Sequence, residues 1–410
     1  MRLNVTSFEK IVWLWFPCAV GSIDFLGNQV AGVSIQQLLS LLCYLAAIIL
    51  WFDDYKLNKV NPLIILWLSC VLVSVVLSSN GVYQFIQFFA LLGAVAWSLL
   101  LIRLFTLDEL VHLLARVSKF YALISVVYIL LLPSHSYGYV NDGLAFSSFF
   151  EQKNTYGRFL FLAFFFNLLS SFWSGGRQGV LSFSFWGWTV LFLALLILSA
   201  SKSAIVLSVF SVIVLVCVTQ LSNGQFIKNA LITLLSFTAI IIPLITFGFL
   251  FEYSGIGTAL DCLHIYDSFC VPGTGRFTIW NAVIQDAFSD ERLLWGYGYA
   301  VYFKELSEVY LSNIGLGGFI PHDPHNGFVD IFASMGAVGV TVYTILLLLA
   351  ARGLRGLSQN EFVFFFVFVL VYVTSNFTES YFLKSTNIYP VLFYFYLNYY
   401  RNRKSRSVTP

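Results

Sequence analysis

Charge is what this sequence has least of. Only 10% of its 410 residues are Asp, Glu, Lys or Arg, against 59% hydrophobic residues and a mean hydropathy of +0.83. Soluble domains run near roughly 25% charged, so the scarcity excludes a water-soluble globular protein and points to an integral membrane protein. Period-2 alternation between turn signals is missing as well, which argues against an outer-membrane barrel. No small-residue cleavage site follows the first apolar run, 11–27, so that run reads as an uncleaved first helix rather than a signal peptide. Histidine is rare, with five in the chain, and the net charge is only +2. A nucleic-acid partner is not expected.

What is present is a series of apolar runs of 17 to 25 residues, matching the ~20 residues a helix needs to cross ~30 Å of hydrocarbon. Twelve spans are expected, at 11–28, 34–52, 62–79, 82–102, 117–133, 156–173, 180–199, 203–221, 230–251, 327–350, 361–375 and 387–400. With both termini in the cytoplasm, 15 of the 22 Lys and Arg fall inside and 7 outside, as the positive-inside rule requires. The terminal RNRKSR run suits a cytoplasmic anchor beside anionic headgroups. The expected fold is therefore an all-α, multi-pass protein forming a single polytopic membrane domain over 1–410, with the lipid bilayer as its solvent. Its one long outer loop, 252–326, falls between the ninth and tenth spans.

That loop has structure of its own in the pattern. Trp280, Val283, Ile284, Ala287 and Phe288 share one helical face, as do Phe303, Leu306, Val309 and Tyr310. Both are expected as short amphipathic helices lying on the membrane or over a cavity mouth. Cys262 and Cys270 both fall in the loop, with seven residues between them. An oxidising outer compartment favours a disulfide there, stabilising the loop by roughly 2–3 kcal/mol; two free thiols are the alternative. Cys18, Cys43, Cys70 and Cys217 fall in spans and read as small hydrophobes.

The seven outside cations run against the insertion bias. Lys384 reads as snorkelling from a span end, and Arg292 and Lys304 lie in the long loop. The others have surroundings that snorkelling does not need. Lys153 and Arg158 sit in FFEQKNTYGR, where Asn154 follows Lys153. Lys202 lies in SASKSA, a small-residue turn that lets neighbouring helices pack closely. Arg276 follows PGTG at a helix start, and backbone donors plus a guanidinium form an anion site. Cations gathered at the outer membrane surface fit a ligand with a strongly anionic head and a lipid tail, as in a polyprenyl diphosphate. Displacing a diphosphate from a sugar C1 needs positive charge where negative charge accumulates. It also needs a base for the incoming hydroxyl, and histidine, ordinarily titrating near about 6.5, suits that work.

Two histidines stand in PHDPHNGFVD, residues 321 to 330, where the long loop meets the tenth span. His325 adjoins the span and is the candidate base; His322 lies further into the loop. Zinc is the competing reading of HDPHN, but Pro324 breaks i, i+3 geometry and no Cys or further His cluster completes a tetrahedron. No metal is expected. Asp323 or Asn326 is the expected N-cap, and Asp330 lies on the same helical face as Asn326, either orienting a polar partner or facing a wet cavity. Asp24, within the first span, is open to the same two readings.

Four pieces in this order resemble the bacterial O-antigen polymerase and O-antigen ligase superfamily, which includes Wzy-type exopolysaccharide polymerases. They are FFEQKNTYGR, LSASKSA, GTGRFTIWNAV followed by LLWGYGY, and PHNGFVDIFASMGAVGV, together covering roughly residues 141 to 340. The resemblance implies a metal- and cofactor-independent glycosyltransferase of the GT-C type in the bacterial inner membrane. It would move a glycan from undecaprenyl diphosphate to an acceptor hydroxyl on the periplasmic side. The family's essential histidine matches His325 and its loop arginine Arg276. Its second arginine falls at Lys202, which keeps the charge but loses the bidentate fork.

A polymerase, with lipid-linked repeat units as both donor and acceptor and a chain-length regulator as an allowed partner, is the first expectation. A ligase acting on lipid A–core or a pilin is the second. A twelve-helix transporter or lipid-oligosaccharide flippase is the third, although no repeat relates the two halves as in many transporters.

Overall fold

The structure is a computed structural model that describes residues 5–20, 29–30, 33–54, 60–78, 81–140, 143–150, 152–180, 182–221, 225–253, 262–266, 269–272, 276–306, 323–377, 379–384 and 387–406. In chain order its long helices are α1 (Val5–Val20), α2 (Ile35–Asp54), α3 (Pro62–Val76), α4 (Gly81–Leu104), α5 (Leu107–Leu131), α6 (Lys153–Val180) and α7 (Phe183–Leu198). They continue with α8 (Lys202–Leu221), α9 (Gln225–Tyr253), α10 (Arg276–Ser289), α11 (Gly327–Gly353), α12 (Gln359–Ser375) and α13 (Ile388–Arg406). Among the described residues, five stretches are long and apolar enough to cross a membrane: Val82–Leu104, Leu107–Leu131, Lys153–Trp173, Lys202–Thr219 and Gly327–Gly356. Shorter apolar helices accompany them at Leu38–Ile49, Pro62–Val76, Phe183–Leu198, Ile227–Pro243 and Gln359–Ser375. The chain thus has the character of a helical membrane protein.

Local signals explain several boundaries. Asn61 caps α3 by accepting from Leu63 N, and Pro62 fills the first turn, where its missing N–H costs nothing. Thr106 and Glu109 form a capping box at the start of α5, and Ser358 and Glu361 do so at α12. Outward faces are apolar rather than polar. On α7, Trp186, Val190, Leu193 and Ile197 form an exposed stripe beside the buried Phe185, Thr189, Phe192 and Leu196. In water such a stripe would be a liability; in hydrocarbon it matches its solvent. The core centres on α12, buried on nearly all faces and packed against α8, α9 and α13.

The helix α11 is not continuous. Gly336 has φ 62° and ψ −159°, a conformation open essentially to glycine alone. The backbone groups freed by the break are met by the segment after α10. Ala337 N donates to Leu293 O (2.8 Å) and Val338 N to Leu294 O (3.3 Å), while Tyr297 N and Gly298 N donate to Ala333 O (2.8 Å) and Ser334 O (3.1 Å). Gly336 lies ten residues into α11, about 15 Å along its axis at 1.5 Å per residue. Part of the expected surface loop therefore runs deep beside the bundle. Irregular backbone is tolerated at membrane depth when protein satisfies its polar groups.

Among the described residues, three two-stranded antiparallel hairpins, absent from the sequence expectation, join helices: β1 (Gln29–Val30) with β2 (Val33–Ser34), β3 (Tyr137–Val140) with β4 (Gly143–Phe146), and β5 (Cys262–Tyr266) with β6 (Phe269–Pro272). The last hairpin sets Cys262 opposite Pro272 and Cys270 opposite His264, so the two cysteines are diagonal neighbours; their side chains lie outside the described residues. Of the two amphipathic helices, the first is α10, but its apolar face does not rest on a membrane surface. Trp280, Val283, Ile284 and Ala287 are buried in a cluster with Val329, Phe332 and Ala333 of α11, while Phe288 is exposed. The second shows one π-helical turn, Tyr302–Leu306, and its continuation through Val309 and Tyr310 lies outside the described residues. So does Asp24.

Candidate active site

The start of α11 is clamped from three directions. Asn326, not Asp323, is the N-cap: it is buried, and its Oδ1 accepts from Phe328 N (2.9 Å) and Val329 N (3.2 Å). Its own N–H donates to Ser380 Oγ (3.1 Å), and Gly327 N donates to Asn376 O (2.8 Å). A Cβ on residue 327 would come within 2.3 Å of Asn376 Oδ1, which is why glycine follows the cap. That Oδ1 also accepts from Tyr381 N (2.8 Å) and Phe382 N (3.1 Å), tying the turn between α12 and α13 to the helix start. From the third side, Trp280 Nε1 of α10 donates to Pro324 O at 2.6 Å.

His325 stands at the centre of these clamps with φ +50°. The left-handed region is unfavourable for a residue with a Cβ, and such strain gathers where a side chain must be aimed. Asp323 helps to hold it, since Asp323 Oδ1 accepts from His325 N at 2.9 Å. Around the imidazole are two carboxylates: Nδ1 is 3.1 Å from Asp323 Oδ1 and 3.7 Å from Glu379 Oε2, aligned for a hydrogen bond with neither. Lys384 Nζ pairs with Asp323 Oδ2 at 2.7 Å, and Arg276 Nη2 lies 4.0 Å from Glu379 Oε1. Arg158 of α6 stacks over the Tyr381 ring at 5.7 Å and donates to Thr155 Oγ1 at 2.8 Å, within electrostatic reach of Glu379 and Asp323. Three cations, Arg158, Arg276 and Lys384, thus surround two carboxylates and one imidazole.

These charges decide ionisation. Burial alone would push the Asp323 carboxyl up, but the Lys384 ammonium, His325 and the backbone N–H of His325 outweigh it and hold it well below the usual carboxylate range. Glu379, almost wholly buried, is likewise held below its ordinary value, burial being outweighed by the contact with His325 and by Arg158 and Lys384. Burial pushes the Tyr381 hydroxyl up. Two ionised carboxylates close to Nδ1 favour a proton on that nitrogen, which leaves the lone pair on Nε2. The chemistry open to such a group is proton abstraction beside a cationic rim.

The remaining expected residues lie on α11, α6 and α8. Asp330, one turn into α11 and half-buried, is within electrostatic range of Lys384 and Asp323. Lys153 opens α6 with Asn154 beside it, and both are half-buried. Lys202 is the exposed first residue of α8. It adjoins Ser201, against which Gly157 packs so closely that a Cβ on Gly157 would lie 2.3 Å from the serine Cβ. Close packing at SASKSA thus brings the first turn of α8 beside the turn of α6 that carries Arg158. His322 lies outside the described residues. Lys384, expected to snorkel, is instead the ion partner of Asp323. Glu379, Tyr381 and Lys384 were missed as site residues, although the dense polar run NFTESYFLK between two apolar spans was a signal.

Compared with known proteins, the chain matches no family model and no curated sequence.

Proposed function

We propose that this protein is a glycosyltransferase of the bacterial inner membrane. It polymerises undecaprenyl-diphosphate-linked oligosaccharide repeat units on the periplasmic face, with twelve spans and both ends in the cytoplasm. The observation that carries the reading is His325, held at φ +50° with Nδ1 facing Asp323 and Glu379 and with Arg158, Arg276 and Lys384 around them. In the proposed reaction His325 Nε2 takes the proton of the acceptor hydroxyl as its oxygen bonds to the donor C1. The C1–O bond to the diphosphate breaks from the opposite face, which inverts the anomeric carbon. The departing diphosphate takes the bonding electron pair, and its charge is met by Arg276, Arg158, Lys202 and Lys153. Asn154, Asn326 and Asp330 support the arrangement.

The test is reconstituted protein with a synthetic lipid-diphosphate repeat unit. Longer glycans are expected, and His325→Ala should lower the rate by about 10²–10⁴-fold while His322→Ala stays near wild type. Arg276→Ala and Lys202→Ala should abolish polymer, and Lys202→Arg should retain it. Transfer to lipid A–core instead of chain extension would make the protein a ligase. Full activity in His325→Ala, or activity that a chelator removes, would overturn the mechanism.

A further inference from the structure

A cationic cavity lies at the other end of the bundle. The helix α13 starts next to Lys384 and Tyr381 and reaches Arg401 thirteen residues after Ile388, about 20 Å further along its axis. There the end of α11, the start of α3 and the last turns of α13 enclose an open cavity of about 390 Å³, within the range of roughly 300–1,000 Å³ typical of ligand pockets. Its frame is rigid. Asn61 N donates to Asn398 Oδ1 (2.9 Å), Asn61 Nδ2 donates to Leu397 O (2.8 Å), and Arg401 donates to Val60 O.

The lining is amphipathic. Arg352 and Arg401 supply two guanidinium groups, no carboxylate lines the cavity among the described residues, and Leu63 and Leu349 form an apolar wall. Arg352 is exposed and has no ion pair among the described residues. The N-terminal end of α3 adds its partial positive charge. The carbonyl end of α11 opposes this, but Ala350 O is taken up by the Tyr396 hydroxyl. The position matters as much as the charge. If Gly327–Gly356 crosses a bilayer, Arg352 stands at headgroup depth while Leu349, one turn back, stands against hydrocarbon.

We propose that this cavity binds the phosphodiester headgroup of an anionic phospholipid, with Arg352 and Arg401 on the phosphate and the acyl chains over Leu63 and Leu349. Guanidinium forks match phosphate geometry, and basic pockets at span ends are the usual form of headgroup recognition. The proposal rests on the membrane character of the chain and not on the transfer reaction.

The experiment is native mass spectrometry of the full chain, delipidated in neutral detergent and titrated with phosphatidylglycerol or phosphatidylcholine of the same acyl chains. Phosphatidylglycerol should bind at least about tenfold more tightly. Arg352→Gln should lose about tenfold, the usual worth of one charged contact. Arg355→Gln, outside the lining, should bind as wild type and serves as the control for general surface charge. Equal binding of the two lipids would overturn the proposal, as would equal losses in Arg352→Gln and Arg355→Gln. Displacement of the lipid by glycerol 3-phosphate at matching concentration would show that the cavity takes a free phosphate, and would overturn the assignment to lipid.

Discussion

Replacing Gly336 with alanine strikes the point where α11 opens to receive the segment Leu293–Gly298. Two costs can be worked from the structure. The backbone at φ 62° and ψ −159° is a glycine conformation, and holding an alanine there costs about 1–3 kcal/mol. The new Cβ would also lie 2.3 Å from Leu294 C and 2.4 Å from Leu294 O, backbone atoms that cannot rotate away. Relieving the clash by moving Leu294 breaks at least the two bonds that Leu293 O and Leu294 O accept from Ala337 N and Val338 N. Each is worth about 1 kcal/mol when made, and an orphaned buried group costs about 1–3 kcal/mol. Gly336→Ala should therefore destabilise the protein by at least about 3 kcal/mol, the sum of the lower values. The assay is thermal unfolding in detergent followed by tryptophan fluorescence, with Trp295 next to the break as a local probe. Gly187→Ala is the control: a Cβ there meets nothing within 4 Å, and the change should be neutral or stabilising by up to about 1 kcal/mol. If Gly336→Ala melts with the wild type, the segment is not inserted at the break.

Lys384→Met leaves Asp323 without its ammonium and should cost about 1–3 kcal/mol, between the values for exposed and buried pairs because both side chains are partly exposed; adding Asp323→Asn should recover part of the loss, and a strictly additive double variant would refute the pairing. The depressed Asp323 and Glu379 carboxyls contribute stability that is fully present above the ordinary range, about 3.9 and 4.3, and lost as pH falls through their folded values. Melting should thus not respond to these two groups between pH 7 and 5. Asp323→Asn should flatten the loss of stability below about pH 4, and an unchanged acid limb would show that the carboxylate is not held low. Alkylation without reductant should leave Cys262 and Cys270 unlabelled while denaturation with reductant exposes both; labelling of both in native membranes would exclude the disulfide.

Much of the local structure was legible in the residues themselves. Scarce charge and apolar runs mark helices whose solvent is hydrocarbon, and Asn326 marks the start of α11 within one turn of where it occurs, whereas α5 starts at Leu107 behind its Thr106–Glu109 capping box, well before the expected 117–133. The position of His325 at a helix entry and the close approach allowed by SASKSA were readable for the same reason. Caps, periods and small residues act over three or four positions, so a short window contains the whole interaction. The partners of the site were not readable in that way. Lys384 reaches Asp323 across 61 residues of sequence, and Arg158 reaches Tyr381 from a different helix; as isolated letters, Lys384 and a snorkelling lysine are the same. The break at Gly336 is similar, since a glycine in an apolar helix is common and only a second segment with backbone groups to offer makes the opening tolerable. Within a single segment, propensity and capping decide the outcome. Between segments, the cost of leaving a buried charge or backbone group unpaired selects the partner, and that cost exists only once the helices are packed.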